Sequence, residues 1–147
     1  KKELHLSHDH SPHANETNEH YCRRWVSLNV LKDISKSKID HEFDIQISNY
    51  QDDGMKYLVL SSATKDPFKE NHFRSISIGL QINRQLERKL GFLADSKIKK
   101  QNVGVTCERC AISNCKVRQT PAIVLDKVAK NRKIEKIVDE LNSQFSS

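Results

Sequence analysis

Glycine and proline are scarce, four and three in 147 residues, which excludes a collagen-like repeat and a low-complexity chain. No apolar run approaches the roughly 20 residues of a membrane-spanning helix, so no part of the chain is expected to cross a bilayer. The stretch Lys1 to His20 has no apolar centre and does not read as a secretory signal. Catalytic signatures are missing too. There is no HExxH helix, no Walker loop and no dinucleotide-binding glycine pattern. Ser61, Ser62, His41 and His72 have no motif around them, and zinc-dependent deamination lacks its His-x-Glu. A Cys-His hydrolase would use one reactive cysteine, whereas here the cysteines cluster. The chain is therefore expected not to be an enzyme.

What is present is polar: 36% hydrophobic and 30% charged residues, with a net charge of +6. The length suits one domain with a single core. Excess positive charge fits an acidic partner, but it is not gathered into an arm with interleaved aromatics. Lys127, Lys130, Arg132, Lys133 and Lys136 share their segment with Asp126, Glu135, Asp139 and Glu140, which reads as a solvated helix face. Residues 1–18, with His5, His8, His10 and His13 among polar neighbours, read as a flexible His-rich lead-in, and residues 19–147 as a single domain.

Periodicity places the elements. Tyr21, Trp25, Leu28 and Leu31 predict a helix over 18–34, while Val26, Leu28 and Val30 would also fit a strand. Phe43, Ile45 and Ile47 alternate with Asp44, Gln46 and Ser48, predicting a strand with one wet face that pairs through Asp53-Gly54 with a second strand over 55–64. After a loop at Asp66-Pro67, Ile76, Ile78, Leu80 and Ile82 form the clearest strand, whose apolar face needs a cover. Asn83 can cap a helix bearing Leu86, Leu90 and Leu93, and Val103 with Val105 suggests a short strand. Thr120-Pro121 predicts the start of a long C-terminal helix that Lys130 to Lys133 could bend or split. The order favours an α+β fold, an antiparallel sheet with helices packed on one side, in a layout like that of GAF or PAS sensor domains.

Cys107 and Cys110 form a CxxC, Cys115 follows after four residues, and Cys22 is the remaining cysteine. Thiolates at this spacing can chelate one ion, and packing alone has no need of such clustering. Four soft ligands suit a structural zinc. An iron-sulfur cluster also takes four thiolates, and a metal-free redox switch is the third reading. Arg23, Arg24, Arg109, Lys116 and Arg118 are expected to lower the thiol pKa values.

The elements Cys22-Arg-Arg-Trp25 and Cys107-Glu-Arg-Cys110-Ala-Ile-Ser-Asn-Cys115-Lys-Val-Arg118 together resemble the C-terminal domain of bacterial helix-turn-helix regulators of the XRE type, the group that includes the short-chain fatty acyl-CoA regulators. The likeness spans about residues 20 to 125 and singles out Arg24, Trp25 and Arg118 beside the four cysteines. Arg23 stands where that family commonly has proline, and Gln119-Thr120-Pro121-Ala122 replaces its usual proline-rich ending. The resemblance implies a cytoplasmic, effector-sensing domain whose DNA-binding part lies before residue 1, so that DNA is a partner of the full-length protein. It also implies a small-molecule effector and a homodimer. A rival reading is a zinc-stabilised interaction or dimerisation module that makes its contact through the apolar stripe from Ile134 to Phe145.

Overall fold

A computed structural model describes residues 19–51 and 54–145. The four lead-in histidines and Asp53 of the expected hairpin turn lie outside these residues.

The first helix, α1, is Val26–Ile34. Val26, Val30 and Ile34, one helical turn apart, form its buried face and are at most 1% exposed. Its start is later than the sequence suggests, and its inward face is a different one. Residues 19–22 are extended, Tyr21 bridges to Thr106, and Trp25 is the residue before the helix. The strand alternative for Val26 to Val30 is overturned, because a helix lets all three β-branched side chains meet one sheet face.

Strands β1 (His41–Tyr50), β2 (Lys56–Lys65) and β3 (Phe73–Gln81) form an antiparallel meander, with Ile47 opposite Leu58 and Leu58 opposite Leu80. The hairpin between β1 and β2 turns through Gly54, whose φ of 72° is a conformation that favours glycine. Strand β4 (Lys99–Val103) adds to the other side of β1, but in parallel, giving the order β3-β2-β1-β4. The sheet is thus mixed rather than antiparallel. Because β3 and β4 run the same way at opposite edges, the chain between them must cross back over one face. Helix α2 (Arg84–Lys89) and a 3-10 turn at Gly91–Ala94 make that crossing. The Asn83 side chain caps α2, accepting a hydrogen bond from Leu86 N at 2.9 Å.

Helices therefore flank both faces, not one. On one side α1 packs Val26, Val30 and Ile34 against Ala63, with Val59 and Phe73 beside them. On the other, Ile47, Leu58 and Ile98 are joined by Ile82, Leu90 and Leu93. The strand face expected to be wet lies partly under α1. Gln46, Ser48 and Ser61 are at most 2% exposed. Gln46 Nε2 donates to Arg24 O at 3.2 Å and Ser48 Oγ at 2.9 Å, and the Ser61 and Ser77 hydroxyls are 2.6 Å apart. The opposite face is incompletely covered, since α2 and the 3-10 turn are short. Phe43, Ile76 and Ile78 remain 59%, 75% and 61% exposed.

The chain ends in helix α3 (Ile123–Phe145), which is continuous through Lys130 to Lys133. Lys and Arg are good helix formers, and the run does not break it. The helix starts after Thr120-Pro121, and the amides of Val124 and Leu125 donate to Glu108 O at 3.1 and 3.4 Å. Among the described residues no helix or strand packs extensively along the rest of α3. Among the described residues no helix is long and apolar enough to cross a membrane. The class is α+β with a long C-terminal helix, as the sequence suggests; the GAF or PAS likeness goes no further than that class.

The two sheet faces should respond differently to truncation. Ile34→Ala should cost about 2–5 kcal/mol of unfolding free energy in urea, and Ile78→Ala less than about 1 kcal/mol, because only the first leaves a cavity. Equal losses would mean that the β3 face is covered in solution.

Candidate functional site

Beyond β4 the chain passes through Gly104 into residues 105–118, which carry three of the four cysteines. The extended residues 19–22 lie antiparallel to the beginning of this segment. Cys22 N donates to Val105 O at 3.1 Å, and Cys107 N donates to His20 O at 2.8 Å. Two buried carboxylates lock the crossing. Glu19 accepts from Arg109 Nε and Nη2 at 2.8–3.0 Å and from the Thr106 hydroxyl at 2.6 Å. Glu108 accepts from His20 N at 3.0 and 3.1 Å and lies 2.7 Å from His20 Nδ1. Burial pushes the Glu108 carboxyl up, but hydrogen bonds from the His20 side chain and backbone outweigh this and leave it below the usual carboxylate range.

This crossing brings Cys22 to the CxxC. All four cysteines are free, three of them buried, and all four line one small cavity of about 10 Å³ with Thr106, Ile112 and Arg118. That is about the room of one water molecule. The thiols share the cavity without being drawn onto a common point: among the described residues no three Cys, His, Asp or Glu side chains are placed to hold an ion as they stand. Cys107 Sγ accepts a hydrogen bond from Gln119 N at 3.5 Å. Gly104 gives Cys110 its space, because an added Cβ would fall 2.8 Å from Cys110 Sγ and 2.9 Å from its Cβ.

Burial pushes the Cys22 thiol up; backbone hydrogen bonds at Gly104 and Arg24 partly oppose this, and the nearby Cys110 and Cys107 reinforce it. The expected lowering by surrounding arginines does not occur at Cys22, where burial dominates, and three of those arginines are engaged elsewhere. Arg24 Nη1 donates to Asn102 O at 3.2 Å, and Arg109 is held by Glu19. Arg118 reaches the carbonyls of Cys107 at 2.8 Å, Cys110 at 3.1 Å and also Ile112 and Thr120. Trp25 Nε1 donates to Gly104 O at 3.0 Å. The three motif residues Arg24, Trp25 and Arg118 thus act alike, each satisfying main-chain carbonyls around the cysteine segment.

Beside the cysteine cavity lies an open groove of about 690 Å³ between α1 and residues 116–119. Arg23, Lys32 and Lys116 give it positive charge, while Leu28, Leu31 and Phe73 give it an apolar wall. Arg23 and Val117 line both the groove and the cysteine cavity.

The structure places the four cysteines around one cavity, and Arg24, Trp25 and Arg118 on main-chain carbonyls near it. Glu19, His20, Gly104 and Glu108 are additions. Reading residues 18–34 as one helix hid Glu19 and His20, although the position of Gly104, just ahead of a CxxC, was a usable signal for close backbone approach.

The family profile described as "Short-chain fatty acyl coenzyme A regulator, C-terminal" matches residues 9–137. No curated protein and no solved structure gives a match. With most of its length inside that profile, the chain belongs to the family of short-chain fatty acyl coenzyme A regulators, as their C-terminal, regulatory domain.

Proposed function

We propose that this domain senses a small anionic effector on behalf of a transcription regulator whose helix-turn-helix part binds DNA, and that the groove beside the cysteines takes the effector. The observation that carries this reading is the groove's make-up: three cations around an apolar wall, in a volume within the usual range for small-molecule sites. An acyl-CoA offers the matching chemistry, phosphates for Arg23, Lys32 and Lys116 and a short acyl chain for Leu28, Leu31 and Phe73. The family's description points to the same class of ligand.

The four cysteines are assigned one zinc ion in the same proposal. Four soft donors around one small, largely buried cavity support a single ion. Cys22, Cys107, Cys110 and Cys115 would hold it once their side chains turn to bring the sulfurs onto the common point that they do not share as they stand. Zinc would supply no reaction there; it would tie residues 19–22 to the segment that leads into α3.

Titration calorimetry with acetyl-, propionyl- and butyryl-CoA, against CoA and the free acids, tests the groove. Binding is expected for the thioesters, weakened about tenfold or more by Arg23→Ala or Lys116→Ala, since each removes a charged contact to phosphate. Failure of every thioester to bind would overturn the assignment of the groove.

Metal analysis of protein purified without oxygen should find one zinc per chain and no colour. Cys110→Ser should lose the metal or unfold, and a brown protein with iron would replace zinc by a cluster. Arg118→Lys should lower stability by roughly 2–4 kcal/mol and weaken metal retention 10- to 100-fold, because a single ammonium cannot serve the spread of carbonyls that the guanidinium reaches. Competition with a zinc chelator measures the second effect, and unchanged retention would limit Arg118 to a packing role.

A further inference from the structure

Helix α3 is 23 residues long, yet beyond its first turn no helix or strand of the described chain packs extensively along it. Ile134, Val138 and Leu141 are 51%, 47% and 47% exposed. Most helices in proteins gain their stability by packing an amphipathic face rather than from propensity. The stripe here has a particular period. Positions 131, 134, 138, 141 and 145 alternate three and four residues apart, which is the a/d spacing of a coiled coil. Val124, Asn131, Val138 and Phe145 take a, and Ile134 and Leu141 take d; Lys127 at the first d leaves the opening heptad looser, flanked by Ile123 and Val128.

Two further features name the occupant and its direction. In a parallel pair, a g residue of one helix faces the e residue five positions later on the other. Lys130 is a g residue and Glu135 is the e residue five positions on, so unlike charges meet on both sides of a symmetric pair. An antiparallel pair would instead set g against g and e against e. The other feature is Asn131, the one polar residue at a, a placement that sets register and favours two parallel strands. We infer that α3 pairs with α3 of a second copy of this chain as a parallel, in-register two-stranded coiled coil, with Asn131 facing Asn131 in the seam and Lys130 facing Glu135 of the second copy across it. The contact is isologous, so it closes at two copies. Both sensor domains then stand at the same end of the pair, where the helices start.

Sedimentation equilibrium of the full chain should give twice the 17.0 kDa chain mass. Lys130→Glu should weaken the dimer about tenfold, and adding Glu135→Lys should restore it, since the swapped charges again attract in a parallel pair only. Ile134→Glu with Leu141→Glu should give a monomer whose sensor domain still unfolds cooperatively, because α3 makes no extensive contact with the sheet or the other helices. A wild-type monomer at tens of micromolar would overturn the inference. So would a charge swap that fails to restore the dimer. A dimer that survives Ile134→Glu with Leu141→Glu would overturn it as well, and would move the contact to the exposed face of β3.

Discussion

The site depends on one crossing, the antiparallel seat of residues 19–22 on residues 105–108. It joins groups 88 residues apart in sequence, and closing a loop of that length costs roughly 4 kcal/mol of chain entropy. The two backbone hydrogen bonds at Cys22 and Cys107 contribute too little to offset this alone. The two carboxylates supply the remainder in a reciprocal way. Glu19, on the early segment, is satisfied by Thr106 and Arg109 of the later one, and Glu108, on the later segment, is satisfied by His20 of the early one. Neither acid could be buried without the other segment in place, since an unpaired buried carboxylate is among the costliest things a fold can contain. Each segment therefore makes the other's burial tolerable, and the gathering of the four thiols follows.

The arginines explain how so irregular a segment can be buried next to that crossing. Residues 107–118 belong to no helix or strand, so their carbonyls have no ladder to join. A guanidinium offers five donors in one plane and can reach several of them at once, which Arg118 does. Arg24 and the Trp25 indole do the same for the carbonyls of Asn102 and Gly104. Arg24 and Arg118 are engaged by backbone oxygens and Arg109 by Glu19, and burial is the largest influence on Cys22. Gly104 completes the arrangement by leaving Cys110 room against the backbone.

How much of this was legible in the sequence depends on whether the cause was local. Asn83 as a cap, the alternation in β1 to β3 and the long terminal helix are short-range patterns, and each could be read directly. The four cysteines were legible because core packing alone does not call for thiols gathered at that spacing, and Arg24, Trp25 and Arg118 because they sit inside the resembling motifs. What could not be read was set by contacts distant in sequence. Tyr21 and Trp25 fit a helical period, but Thr106 and Gly104 hold them extended. Gln46 and Ser48 look like a wet strand face until α1 is laid over them. The parallel pairing of β4 follows from the path of the crossover, which alternation does not encode. Glu19 and Glu108 look like any surface acids, for nothing in their neighbours shows that each will meet a donor some 90 residues away.

Residues 115–119 join the two halves of the proposed site. Cys115 lines the sulfur cavity, Lys116 the groove, Val117 both, Arg118 the cavity while it bonds the carbonyls of Cys107 and Cys110, and Gln119 the groove while its N–H donates to Cys107 Sγ. Five successive residues thus serve two neighbouring sites from one turn, closed by Arg118 N donating to Cys115 O at 3.2 Å and too short to move independently of either. Arg23 plays the same double part from the other segment, and it does so where the resembling family usually has a proline, a residue without charge or N–H. If the proposed function holds, a groove ligand that drew in Lys116 or Arg23 would pull on residues adjacent to Cys115 and Cys22, and a metal that gathered those thiols would fix the groove wall in turn. Such coupling would be reciprocal by thermodynamic necessity. Its route to α3 would be short, since Glu108, between the two cysteines of the CxxC, holds the first amides of that helix.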